Sequence, residues 1–257
     1  MRNNNNDKDI LSLALRGEGA RRAGEGLGGS LYFISLGPGA AEMVTLGTLR
    51  SLEEAQKVYC FAVGESSRAA EIIAQLEIDQ SKVITVKIPM SSDREKANAV
   101  YNELASTIRK EHEAGMNIAV ATEGDSGIFA TTHYVMDRLM EMGVECEQTP
   151  GVPSFIAAAS IAGLHLVKLQ ERLLVIPGKI SAEEILRLTS EGYNLVIMKL
   201  SLAHEAVSEA FQKAHNLTFH YFENIGTPSQ KYEILKRVPE IFPYFSLLIV
   251  QPTPVNQ

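Results

Sequence analysis

The sequence predicts an α/β fold divided near residue 150, and three observations carry that reading. Short apolar runs of strand length alternate with longer segments of helical period, the pattern of crossover-connected parallel sheets. Several strand-like runs end in glycine-bearing turns. A change of phase then occurs at "TPGVPSFIAAASIAGLHL", where small apolar residues follow a proline, as in a tightly packed helix with a proline-containing amino end. At 257 residues, 45% hydrophobic and 21% charged, the chain is long enough for one large or two small cores.

The elements follow in order. Residues 1–30, with "MRNNNNDKD" and "RGEGARRAGEGLGGS", are poor in large apolar residues and read as a flexible extension, with room for a short helix over "DILSLALR". "LYFISLGPGAAEMVTLGTLRSLEEAQKVYCFAV" reads as strand, glycine turn, amphipathic helix, strand. Its helix has an apolar stripe of Leu46, Leu49, Leu52 and Ala55, and Thr45 is placed to cap it. "SKVITVKIPM" and "NIAVAT" are strands; "DREKANAVYNELASTIRKEHEAG" and "FATTHYVMDRLMEMG" are helices. Past the change of phase, "RLLVIPG", "NLVIMKL", "LTFHYFENIG" and "YFSLLIV" read as strands, and "SAEEILRLTSEG", "AHEAVSEAFQKA" and "SQKYEILKRV" as helices. The expected domains are therefore 31–148 and 149–257.

Composition excludes several function classes. A net charge of -7 disfavours general nucleic-acid binding, so no nucleic-acid partner is expected. No apolar run reaches the roughly 18 residues of a membrane span, and the start carries no secretory h-region, so the expectation is a cytoplasmic chain without a membrane partner. Cys60 and Cys146 have no histidine or cysteine at ligand spacing and read as two buried thiols, with no metal site. His112, His133, His165, His204, His215 and His220 are scattered, and none is singled out as a catalyst.

Three glycine turns follow strands: "LGPGA" at Leu36 to Ala40, "EGDSG" at Glu123 to Gly127, and "PGVPS" at Pro150 to Ser154. In open α/β sheets ligands sit beyond the carboxyl ends of strands, where glycine lets the main chain come close, so the three turns are candidates for one site. The first lacks the GK[ST] of a P-loop and the third glycine of the dinucleotide fingerprint. Gly124 would allow close backbone approach. Asp125 would either offer acceptor oxygens and negative charge to a ligand or cap a helix starting near Ile128.

In this order the turns resemble the tetrapyrrole methylases, the S-adenosylmethionine-dependent enzymes of cobalamin and siroheme synthesis, across Leu31 to Val250. The family's G-x-G-P-G-D-P opening is echoed by "SLGPGAAEMVTL", its central G-D-P-x-x-Y by "EGDSGIF", and its P-G-[VI]-[ST]-S-x-x-A-A-A by "PGVPSFIAAAS". "IPMSSD", "VIMKLS", "YFENIGTPSQ" and "YFSLLIV" are similar to the precorrin-2 C(20)-methyltransferase branch. The resemblance implies a two-domain fold, each domain a sheet flanked by helices with the active cleft between them, a homodimer, S-adenosyl-L-methionine as methyl donor, and a tetrapyrrole substrate. Carried over position by position, cofactor contacts would fall on Pro38, Glu123, Gly124, Asp125, Ile128, Pro153, Ser154, Met198 and Gly226. No catalytic residue is identified. Arg68 and Arg94 are guesses for a basic rim facing substrate carboxylates, and Lys199 is a further candidate.

The chain departs from the family pattern at Ala40 and Ala41, which replace the aspartate and proline of G-P-G-D-P. Ser126 stands for the proline of G-D-P, and Pro153 for a serine or threonine. Three readings stay open at this point: methyl transfer to carbon 20 of precorrin-2 or its cobalt form, transfer to another ring position, and a binding protein without turnover.

Overall fold

The computed structural model describes residues 28–89 and 94–253. Residues 1–27, most of the expected extension and its short helix, lie outside the described residues. Gly29 donates its N–H to the carbonyl of His112 at 3.0 Å, and Ser30 N–H to Asn117 Oδ1 at 2.8 Å.

The first sheet has the order β3-β2-β4-β1-β5, all parallel: β1 (Leu31–Ser35), β2 (Lys57–Ala62), β3 (Val83–Lys87), β4 (Ile118–Thr122) and β5 (Glu147–Gln148). Both of its faces are covered, which is why its central strands read as continuous apolar runs. Tyr32, Ile34, Val58, Cys60, Ala119 and Ala121 pack on α1 (Leu46–Glu54) and α2 (Arg68–Ile73). The alternate residues Leu31, Phe33, Tyr59, Ile118 and Val120 pack on α3 (Arg94–Glu113) and α4 (His133–Glu141). Thr45 caps α1 as its sequence suggests, its hydroxyl accepting from Thr48 N–H. Of the expected stripe, Leu52 and Ala55 are buried and Leu49 packs at the edge of the core, whereas Leu46 is exposed.

The second sheet, β6-β7-β10-β8-β9, is mixed. Only β6 (Arg172–Ile176) and β7 (Tyr193–Met198) run parallel; β10 (Ser246–Pro252), β8 (Leu217–Glu223) and β9 (Lys231–Ile234) pair antiparallel. One face packs on α6 (Ala182–Ser190) and α7 (His204–Lys213). The other meets α5 (Ser154–Ile161) and Val152 together with Met43 and Ile128 from the first half, so this cluster joins the two sheets.

Three sequence expectations are corrected. "SQKYEILKRV" is not a helix: Lys231–Ile234 forms the edge strand β9, because Tyr232 stacks on Phe222 at 4.8 Å and hydrogen-bonds His220 Nδ1 at 3.0 Å. Cross-strand aromatic pairing there overrides a helical charge pattern. The helix after "EGDSG" starts at His133 rather than near Ile128, the intervening residues being turns. Cys60 is buried as expected and burial pushes its thiol up to about 12, but Cys146 is only half-buried.

Candidate active site

β1 and β4 are neighbours at the centre of the first sheet, but β1 continues into α1 on one face of the sheet and β4 into α4 on the other. Their loops therefore part and leave a crevice at the strand ends, where ligands of open α/β sheets bind. Gly37 and Gly124 hold its base together through paired main-chain hydrogen bonds of 3.0 and 2.7 Å. Both have positive φ, 72° and 69°, which glycine adopts without steric cost. The third turn closes on the same point. A Cβ added to Gly151 would lie 2.5 Å from the Gly124 carbonyl oxygen and 2.5 Å from Ser35 Cβ, so no larger residue fits.

A buried polar network locks the three turns. Ser35 Oγ donates to the Thr149 carbonyl at 2.7 Å and accepts the Ser126 N–H at 2.8 Å. Ser126 Oγ accepts from Gln148 Nε2 at 2.7 Å, and Thr48 Oγ1 lies 2.7 Å from Thr149 Oγ1. This explains the departure at Ser126. Proline would offer no N–H to Ser35, whereas serine fixes the loop by hydrogen bonds instead of by a ring. Asp125 joins the same network, since Oδ1 accepts the Gly127 N–H at 2.9 Å and Oδ2 the Gly151 N–H at 2.8 Å. It caps no helix, and ties the second turn to the third.

These turns open into a cavity of about 200 Å³ between the two sheets. Pro38, Glu123, Gly124, Asp125, Ile128, Pro153, Ser154 and Met198 all line it. Gly226 does not; its main chain packs against the first turn, where a Cβ on Gly39 would come 2.9 Å from the Gly226 carbonyl. The far wall is a cross-strand row, since Leu247 is registered opposite Met198 on β7 and Phe222 on β8. Three lining residues other than glycine, Phe129, Lys199 and Asn224, have positive φ of 53°, 55° and 48°. Such strained backbone persists where surrounding structure fixes it, and it is concentrated here at the cavity. Lys199 Nζ stands 5.6 Å over the Phe129 ring.

A second chamber of about 430 Å³ adjoins the first, and Arg68, Thr122, Glu123, Thr131, Tyr244 and Phe245 line both. Arg68 lies at their junction. Its guanidinium sits 4.2 Å over the Phe245 ring, Nη2 donates to Asn224 Oδ1 at 3.4 Å, and Nε is 3.8 Å from Glu123 Oε2. Glu123 is reachable from the cavity but ringed by protein. Burial pushes its carboxyl up to about 7, Arg68 pulling it down and Glu71 pushing it further up. Tyr244 is raised as well, by burial and by the charge of Glu123. Arg94, at the start of α3, lines neither chamber, and no histidine does among the described residues.

Sequence reasoning missed α2, and with it the reason Arg68 reaches the site. Ser67, whose hydroxyl accepts the Ala70 N–H, was the available signal, an N-cap before the buried pair Ile72 and Ile73. Asn224, Tyr244 and Phe245 lie in "YFENIGTPSQ" and "YFSLLIV", stretches that carry the family resemblance, but they were not named as site residues, because only the sheet pairing brings them over the glycine turns.

Comparison with known proteins bears on this geometry. Residues 30–237 match the family described as Tetrapyrrole (Corrin/Porphyrin) Methylases. The chain is 32% identical over 180 residues to the cobalt-precorrin-2 C(20)-methyltransferase of Salmonella typhimurium, covering 68% of this chain and 74% of that one. The solved structure of a cobalt precorrin-4 methyltransferase superposes with a TM-score of 0.68 at 18% identity, covering 86% of this chain and 94% of the other. That of a uroporphyrin-III C-methyltransferase from Thermus thermophilus, complexed with S-adenosyl homocysteine, gives 0.61 at 19% identity, covering 87% and 97%.

Proposed function

The chain belongs to the tetrapyrrole (corrin/porphyrin) methylases, and we propose that it transfers a methyl group from S-adenosyl-L-methionine to carbon 20 of precorrin-2 or its cobalt-bound form, in cobalamin biosynthesis. The observation that carries this reading is the convergence of three glycine turns and one apolar sheet face on a single cavity between the two sheets.

The residues present fit the cofactor. Ile128, Met198, Phe222 and Leu247 offer an apolar wall to an adenosyl group, and the carboxylates of Glu123 and Asp125 stand beside it to favour a positive charge. Pro153 and Ser154 bring the amino end of α5 into the same cavity, a position whose free N–H groups suit a carboxylate. Contacts are assigned to Pro38, Glu123, Gly124, Asp125, Ile128, Pro153, Ser154 and Met198, with Gly226 acting through its main-chain contact with the first turn. When bound, the cofactor supplies a methyl group on a cationic sulfur to a ring carbon already nucleophilic through conjugation. The chain's part is to hold the two partners in line, to exclude water with the Met198, Leu247 and Phe222 row, and to set the local charge. Arg68 stands where a substrate carboxylate in the second chamber can pair with it.

The reading includes domains at 31–148 and 149–257, a homodimer and a cytoplasmic location. Ile156, Ile161, Val167 and Leu169 are exposed along one stretch of chain and supply apolar surface for a second copy. Cys60 and Cys146 are unpaired thiols, in keeping with a reducing compartment. No helix among the described residues is long and apolar enough to cross a membrane. Incubation with methyl-labelled S-adenosylmethionine and precorrin-2, with and without cobalt, followed by location of the label, is the test. Label at carbon 20 is the expected result. Label elsewhere on the ring overturns the position, and cofactor binding without transfer overturns the enzyme. Sedimentation at micromolar concentration checks the dimer.

A further inference from the structure

We propose that the Glu123 carboxylate is the proton acceptor of the methyl transfer, taking the hydrogen that the methylated carbon has to lose. The inference rests on the reading of the chain as a C-methyltransferase acting on a conjugated ring. Such a carbon starts with one hydrogen. The methyl group arrives with its former bonding pair left on sulfur, and a π pair of the ring makes the new carbon–carbon bond. The carbon then carries both methyl and hydrogen, and the ring carries a positive charge. Removal of the hydrogen as a proton returns its bonding pair to the ring and restores conjugation. One proton is therefore released for each methyl transferred, and it needs an acceptor at the point where the two partners meet.

Glu123 occupies that point. It follows directly on β4 and lines both chambers, the cofactor cavity and its larger neighbour. The other acids nearby are placed differently. Both oxygens of Asp125 accept main-chain N–H groups, and Glu71 lines the second chamber but not the first. The Glu123 carboxylate accepts no hydrogen bond from the described residues, and Arg68 Nε, at 3.8 Å, is within ion-pair range but beyond hydrogen-bond length. Its lone pairs are open to the chambers while its position is biased by a fixed cation. Arg68 is itself held by the Phe245 ring and by Asn224, both from the second half. It is a positioning residue, and it sets the carboxylate only when the two halves are together.

The charge environment supports the role. Arg68 and Glu71 face Glu123 from α2, and Tyr244 faces it from the segment before β10. Enclosure outweighs the arginine and leaves the carboxyl near neutrality, where an acceptor is both substantially deprotonated and stronger than an ordinary carboxylate. Openness to the cavity gives the proton a route to solvent.

The test compares wild type, Glu123→Gln and Glu123→Asp in three measurements. These are transfer of labelled methyl at saturating substrates, S-adenosylhomocysteine affinity by calorimetry, and the pH titration of glutamate side-chain carbons by 13C NMR in the ligand-free protein. One glutamate with a midpoint near 7, absent from the Gln variant, is expected. Glu123→Gln is expected to lower turnover by about 100-fold or more, whereas S-adenosylhomocysteine, which lacks the sulfonium charge that the carboxylate contact favours, loses no more than about tenfold in affinity. Glu123→Asp is expected to keep an intermediate rate and to move the acid limb of the pH profile. The proposal is overturned if the Gln variant keeps more than about a third of the turnover, if no glutamate titrates above the ordinary range, or if affinity and turnover fall together, which makes Glu123 a cofactor contact only. Failure of the wild type to transfer label overturns the functional reading and the proposal with it. Wild-type transfer matched by the Gln variant overturns the proposal alone.

Discussion

The two sheets build one cavity by different means. In the first, all strands run parallel, so the carboxyl ends of β1 and β4 stand side by side and their loops supply main-chain groups and carboxylates. In the second, antiparallel pairing aligns Met198, Leu247 and Phe222 across three strands as a row of apolar side chains on one face. The first half therefore acts through backbone held in place by glycines and hydrogen bonds. The second acts as a wall. Substitutions behind the wall are expected to alter stability without altering the site, and substitutions in the turns to alter both.

The largest expected effect tests the wall. Phe219 is buried on the α6 and α7 face of the second sheet, turned away from the cavity. Phe219→Ala is expected to cost about 3–5 kcal/mol in denaturant unfolding, with S-adenosylhomocysteine affinity of the folded fraction unchanged. A weakened affinity would break the distinction between the halves. Gly151→Ala sharpens it from the other side. The added Cβ meets the Gly124 carbonyl and Ser35 at 2.5 Å, for an expected loss of about 1–3 kcal/mol together with a roughly tenfold or greater loss of affinity. Unchanged calorimetric binding in that variant would show that the turns tolerate displacement.

Next comes Asp125→Asn. An amide has one acceptor oxygen, so its NH2 faces the N–H of either Gly127 or Gly151, where the carboxylate accepts both. A loss of about 1–3 kcal/mol is expected in thermal unfolding, and near-native melting would show that the tether is dispensable. The smallest effect is a pH dependence. The folded-state pKa of Glu123 is raised to about 7, above its unfolded value, so ionising it costs stability above pH 7 and nothing below the unfolded pKa. Glu123→Gln is expected to melt higher than wild type at pH 8, with the difference shrinking to nothing as the pH falls toward 4. A difference independent of pH would place its cause in packing rather than in charge.

The same contrast explains what could be read from the sequence. The three turns were legible because glycine after an apolar run marks both a strand end and a place of close approach, and the chain order of the motifs matched a family. The cap of α1 at Thr45 was legible for a local reason of the same kind. The short α2 was not: six residues show less than two turns of periodicity, so the element that carries Arg68 left no stripe. β9 was misread because Lys231–Ile234 lies in a charged stretch of helical appearance, and its strand state depends on Phe222 and His220 from β8. Glu123 was expected at the site, but its shifted titration was not, since that depends on enclosure by residues far along the chain. The Asp125 tether was hidden for a similar reason, as its partner Gly151 is 26 positions away.

One contact sets a limit on how this site can change. Gly39 and Gly226 bring the main chains of the two halves together so closely that a methyl on Gly39 would meet the Gly226 carbonyl at 2.9 Å, and one on Gly226 the Ala40 nitrogen at 3.0 Å. At that edge the gap between the halves is fixed by the thickness of peptide groups. Exchanging one side chain for another cannot narrow it, and any side chain at either glycine pries it open. Adaptation to a wider or narrower ligand therefore falls to side chains elsewhere on the rim, such as Tyr244 and Phe245, which stand exposed. The glycine pair acts as a spacer of fixed width, and the aromatic pair as a part of the rim that substitution can reshape.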